Sequence, residues 1–210
     1  MAQWAKHHHS LLAAIVAVGA SLPAQAADVF HVEQFNLTKI CEHCDLSGTD
    51  YTSGSLHGAS MAFSDASSSL FVGANMSGAY LEGINFIASD LTSAVLENAD
   101  MDIANLYMTE APGANFNYAS LRKSDLSFAN LSGASLVGAD FSDAALEGTN
   151  FFGANLTGAD FSDAEMDNVI LNGANLTNAT LSRANLHEAL MDHAILCNTV
   201  THFGTFNRDC

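Results

Sequence analysis

At 210 residues and 49% hydrophobic content, the chain can bury the core of one domain, and that apolar content excludes an acidic disordered coil. Six Lys and Arg against 23 Asp and Glu leave a formal charge of −17. That balance excludes direct binding to a nucleic-acid backbone, where phosphate contacts need cationic side chains; it favours solubility and attracts cations or basic partners.

Residues 1–26 read as an export signal. Lys6 sits in an acid-free start, Leu11 to Leu22 is an almost unbroken apolar run, and Ala24, Gln25 and Ala26 form a small-x-small exit. The apolar run spans about a dozen residues, whereas a membrane-spanning helix needs about 20. No membrane span is therefore expected once the signal is removed. Trp4 and His7 to His9 fall within the removed part. Export places the four cysteines where disulfides persist. The compartment expected is a periplasm, or a thylakoid lumen if the source is photosynthetic.

Residues 27–43 read as an N-terminal cap. Asp28 to Lys39 carries Val29, Phe30, Val32, Phe35 and Leu37, the composition of a short helix or strand laid over an apolar end.

Residues 44–198 repeat with a period of five. From Leu46 to Leu196, 31 positions follow in phase, and 28 of them are Leu, Phe or Met. The position two before each is small, with alanine in 20 of the 31. The position one before is often Asp or Asn, as at Asn130, Asp140 and Asp160. A period of five matches neither a helix at 3.6 nor a strand at 2.0. It matches an all-β chain that turns a corner every five residues. Four sides close a square coil of 20 residues, and coils stack at about 4.8 Å. The large residue and the small one point inward; the other three face water. Just under eight coils result. Residues 20 apart share a side, so Phe141 and Phe161 should stack in the core. Ala66 and Ala111 are small where a large residue is expected, and Ile84 and Val169 are branched in the small slot. Pro112 cannot donate to a ladder, so Tyr107 to Gly113 could leave the coil as a loop.

Runs such as Ala129-Asn130-Leu131-Ser132-Gly133 resemble the motif of the pentapeptide-repeat family. That resemblance covers residues 44–198 and implies a right-handed quadrilateral β-helix. The flanks, with Cys41 and Cys44 before the repeats and Cys197 and Cys210 after, are similar to those of exported members.

Residues 199–210 read as a C-terminal cap, with Val200, Phe203 and Phe206 over the last coil. The ends need such covers, because stacked coils leave unpaired backbone at both ends. Cys41 and Cys44 have the C-x-x-C spacing of a redox dithiol or half a zinc site. No second such pair and no βαβ pattern accompanies them, so a structural disulfide is the preferred reading. Four cysteines allow three pairings. Cys41 with Cys44 and Cys197 with Cys210 is preferred, because the rod holds its ends too far apart for a bridge between them.

From Ser124 to Ser182 the chain has no Lys or Arg. The 20-residue rule aligns Asp140 with Asp160, Asp143 with Asp163, and Glu147 with Asp167. Six carboxylates around one corner suggest three things: a Ca²⁺ site of oxygen ligands, a mimic of nucleic-acid charge, or a solvated acidic face. His57, His187, His193 and His202 have no nucleophile paired with them, so the chain reads as a non-enzyme without catalytic residues or a required cofactor. The expected role is a rod for an unidentified protein partner. The resemblance also implies an alternative: some cytoplasmic relatives look like acidic DNA mimics that bind type II topoisomerases. The acidic face suits that reading and the export signal opposes it. Those relatives dimerise through an apolar C-terminal coil, which residues 199–210 cover here, so a monomer is expected.

Overall fold

The computed structural model describes residues 27–207 and 209–210. The export signal expected over residues 1–26 lies outside the described residues. From Ile40 onward the chain forms single parallel bridges at every fifth residue, each to the residue 20 further on, from Ile40↔Ser60 to Asn175↔Ile195. One turn therefore takes 20 residues and carries four ladders.

The repeat 129–133 shows how five residues divide the work. The Leu131 N–H donates to the Asn150 carbonyl on the next turn (2.8 Å), and the Gly133 N–H donates to Phe152 (2.8 Å). The Asn130 N–H reaches back to Thr109 on the previous turn (2.9 Å), and the Ala129 N–H closes the corner on Leu126 (2.9 Å). Only the Ser132 N–H lacks a backbone acceptor, and the Asn130 Oδ1 takes it at 3.2 Å. The Asp or Asn before each core residue is therefore a turn-forming group that uses its side chain in place of a carbonyl. The same bond recurs from Ser47 to Asp45, Ser142 to Asp140 and Ser162 to Asp160.

That division explains Pro112. It sits at the one position per repeat whose N–H the ladder does not use. Residues 107–113 do not loop out: Glu110 bridges both Asp90 and Asn130, and the Pro112 carbonyl accepts from Ser93 at 3.0 Å.

Between Leu56 and Leu181 the inward residues are buried, including Ala66, Ala111, Ile84 and Val169, while Tyr51 and the last turn's Leu186, Met191 and Leu196 are partly buried. Phe141 and Phe161 stack with centroids 5.0 Å apart and planes 1° from parallel, the favourable geometry of offset rings. The small slot also admits hydroxyls. Ser69, Ser89, Thr109, Thr149 and Thr199 are buried and donate to the carbonyl 23 residues earlier, as Thr149 does to Leu126 at 2.8 Å. A buried hydroxyl without such an acceptor would be costly.

Both ends are closed by side chains that replace the missing turn. At the start, α1 (Val29–Thr38) is capped by Asp28, whose carboxylate accepts the Phe30 N–H at 2.8 Å, and ends at Lys39 in the left-handed region. Phe35 is buried edge-on against Tyr51, and Val32 is partly buried. Phe30 and Leu37 are 64% and 85% exposed. A ten-residue helix presents only one face to the coil, so not all the apolar residues expected to cover it do so. The His31 Nδ1 accepts the Asp45 N–H at 3.0 Å, where a preceding turn would offer a carbonyl. Cys41 and Cys44 form a disulfide in the same region.

At the other end β1 (Thr180–Leu181) pairs in parallel with β2 (Thr199–Thr201), and β3 (Gly204–Phe206) returns antiparallel to β2. The Leu196 and Asn198 N–H groups face where no further turn exists. They donate to the Asp209 Oδ2 and the Asn207 Oδ1, each at 3.0 Å. A disulfide joins Cys197 to Cys210, with Cα atoms 5.0 Å apart. The double substitution Asn207→Ala with Asp209→Ala should lower stability by about 0.5–2 kcal/mol per lost acceptor, the scale of a helix N-cap. Thermal melting followed by circular dichroism checks this; an unchanged midpoint would mean that water serves these N–H groups equally well.

Candidate interaction surfaces

The ladders consume the backbone, so any recognition chemistry along the rod lies in outward side chains. These stack in columns 20 residues apart. The last residue of each repeat takes a left-handed φ, from 53° at Ala88 and Asn198 to 69° at Gly158 and Gly173. Glycine or a small polar residue suits that conformation.

The six carboxylates expected at one corner divide among different tasks. Asp140 and Asp160 each accept from a following serine, at both its N–H and its hydroxyl. Asp163 is held by the Arg183 guanidinium through two donors. Asp167 accepts from the Asn185 amide at 2.7 Å and lies 3.5 Å from the His187 ring. Asp143 and Glu147 are exposed. Among the described residues no three His, Cys, Asp or Glu side chains are gathered to hold a metal ion. The acids expected at a calcium corner serve turns, an arginine and separate columns.

Among the described residues the most sheltered carboxylate in an ion pair is Asp102. Arg122 donates to Asp102 through Nε at 3.0 Å, and the Ser120 hydroxyl donates to the same carboxylate. Burial raises the Asp102 pKa, but the hydrogen bonds from Arg122 and Ser120, with the Arg122 charge, outweigh it and hold the group below its ordinary 3.8. The Arg183 hydrogen bond likewise lowers Asp163.

Aromatic and aliphatic residues occupy left-handed positions where the motif favours glycine. Phe63, Ile103, Met108, Tyr118 and Phe128 all have φ between 55° and 59° and remain exposed. Phe63 stacks on His43 at 5.3 Å and lies across the next turn, where a Cβ at Gly83 would fall 2.5 Å from its ring. These positions were not singled out by sequence reasoning. Their signal was available: a bulky residue two places after a core position. Two hollows open at the C-terminal end. One, of about 360 Å³, lies between Leu186, Met191 and Leu196 of the last turn and Phe203 and Phe206 of the terminal segment. The other, of about 500 Å³, lies beside His193 and Asp209.

A family model described as pentapeptide repeats matches in eight copies, over residues 69–106, 113–148, 134–173 and 159–198. The chain belongs to the pentapeptide-repeat family. Members of that family fold as right-handed β-helices, in keeping with the ladders described above. Among solved structures, HetL, a pentapeptide repeat protein involved in heterocyst differentiation regulation in the cyanobacterium Nostoc sp. strain PCC 7120, is 25% identical. The match covers 85% of this chain and 99% of HetL, with a TM-score of 0.43. QnrB1, a plasmid-mediated fluoroquinolone resistance protein, is 22% identical over 70% of this chain and 87% of its own, with a TM-score of 0.41. A pentapeptide repeat protein from the Arabidopsis thaliana thylakoid lumen is 31% identical over 52% of this chain and 63% of its own, with a TM-score of 0.26. A search of the curated proteins finds no significant match.

The Asp102 pair has a defined pH signature. Its folded pKa lies below 3.8, so its stabilisation is fully present above that value and is lost as the pH falls through the lowered pKa. Asp102→Asn should cost less than about 1 kcal/mol at neutral pH, as for a half-exposed pair. Urea unfolding of both proteins should converge well below pH 3.8; a difference that persists there would assign the effect to packing.

Proposed function

We propose that the chain is an exported, non-enzymatic interaction rod: a quadrilateral β-helix of about eight coils whose flat sides bind a protein partner. The carrying observation is the uninterrupted ladder from Ile40 to Ile195. It commits the backbone and the core to structure and leaves recognition to the three outward side chains of each repeat. Outward residues on one side repeat at about 4.8 Å along the axis, which makes each side a rigid ruler.

Export is supported by the signal-like order of residues 1–26 and by two disulfides at the ends of the rod. Periplasm and thylakoid lumen both suit this reading. The end covers built from α1 and from residues 199–210 favour a monomer.

Two measurements test the reading. Intact mass of the protein recovered from its compartment should place the N-terminus near Ala27; a chain still starting at Met1 would remove export. A photo-crosslinking amino acid placed in turn at Ser142, Ser132, Thr157 and Ser127 samples the four sides. Adducts to another protein should form from one side and be absent from the rest. No adduct from any side would leave only a mechanical role.

A further inference from the structure

The side made by residues 85–88, 105–108, 125–128, 145–148, 165–168 and 185–188 changes chemistry along its length. Its first half carries Ile87, Tyr107, Met108 and Phe128. Tyr107 and Phe128 meet edge to face at 5.8 Å. Ile103, around the adjacent corner, extends the apolar area. Met108 is 55% exposed and Phe128 49%. The second half carries Glu147, Glu165 and Asp167, with Asp125 between the halves. No Lys or Arg lies on this side.

The fold gives no reason for the apolar half. Ile103, Met108 and Phe128 hold φ values of 55°, 56° and 59°. That region disfavours a side chain at all and a β-branched one most. Each of the three stays about half exposed. Phe128 lies over the next turn, where a Cβ at Gly148 would fall 2.8 Å from its ring, so one face of the ring is packed and the other stays exposed. Exposed aromatic and methionine side chains in one patch are the composition of an interface centre.

We infer that this side is a docking surface for an extended protein segment that carries both apolar anchors and Lys or Arg. The inference rests on the interaction-rod reading above and specifies its side and partner. Charge complementarity selects the occupant: the acids continue directly from the apolar patch, and no Lys or Arg lies on this side, where the nearest basic group is the His187 ring 3.5 Å from Asp167. Phe128 and Asp167 are about two turns apart, roughly 10 Å at the strand spacing. An extended segment along the axis covers that distance in about three residues. The recognised segment therefore has two apolar residues and, about three to five positions away in either chain direction, basic residues.

A random dodecapeptide display library selected against the folded chain tests this. Enriched peptides should share an apolar pair spaced about three to five positions from basic residues. They should bind at least about tenfold more weakly to Met108→Ser with Phe128→Ser, the loss of an anchor pair. Binding should also weaken to Glu147→Gln with Asp167→Asn and at high salt. Circular dichroism of both variants confirms the fold, since all four side chains lie outside the core. Failure to enrich any peptide overturns the proposal. Peptides indifferent to both variants also overturn it, while leaving the interaction rod in place on another side. A dimer in sedimentation that the Met108 and Phe128 substitutions abolish would overturn it in favour of a second copy.

Discussion

The 20-residue register of the backbone ladder is the constraint on which the rest depends. Four of the five N–H groups in a repeat find carbonyls one turn away or across the corner, as Leu131, Gly133, Asn130 and Ala129 do. A shift of one residue would break these bonds together and turn outward polar side chains into a bore filled by Leu, Phe and Met. The register thus links hydrogen bonding to burial, and neither can fail alone. It also accounts for both exceptions that look like defects. Pro112 occupies the N–H that the ladder leaves free, and hydroxyls such as Thr149 in the small slot carry their own acceptor one turn back.

The same register sets the electrostatics. Outward residues of like type fall one above another at about strand spacing, so an acidic motif produces columns of like charge. The fold moderates this locally. Asp140 and Asp160 accept turn hydrogen bonds, while Arg122 and Arg183 each sit one turn after the carboxylate they neutralise. Glu147 and Glu165 lie beyond the apolar half of one side. A net charge of −17 is therefore partly a by-product of turn chemistry and partly a surface property of particular columns.

The core was legible in the sequence because burial there depends on one variable, phase, and Leu46 to Leu196 keep it. Phe141 over Phe161 followed from counting by 20. Three features were not legible in the same way. Asp140 and Asp160 looked like available ligands, because the turn bond each makes to the N–H two residues on requires the corner's backbone angles. The extent of cover from residues 28–39 was overestimated, since apolar content does not reveal which face of a helix meets the coil; only Phe35 became fully buried. The end closures by His31, Asn207 and Asp209 depend on which carbonyls are absent, and that requires the register and both ends in space.

The left-handed residue of each repeat is where structural and functional demands separate. At core positions a large side chain is stabilising through burial, so its presence needs no other cause. At the left-handed position the backbone disfavours bulk, and the side chain projects into solvent, so the fold itself favours glycine. Gly133, Gly153 and Gly173 follow that rule on one column, whereas Met108 and Phe128 break it on another and stay about half exposed. A column that departs from the conformational preference at successive turns carries information that the ladder does not require. In a fold whose core is nearly the same from turn to turn, such departures are the places where one member of the family can differ from another in what it binds.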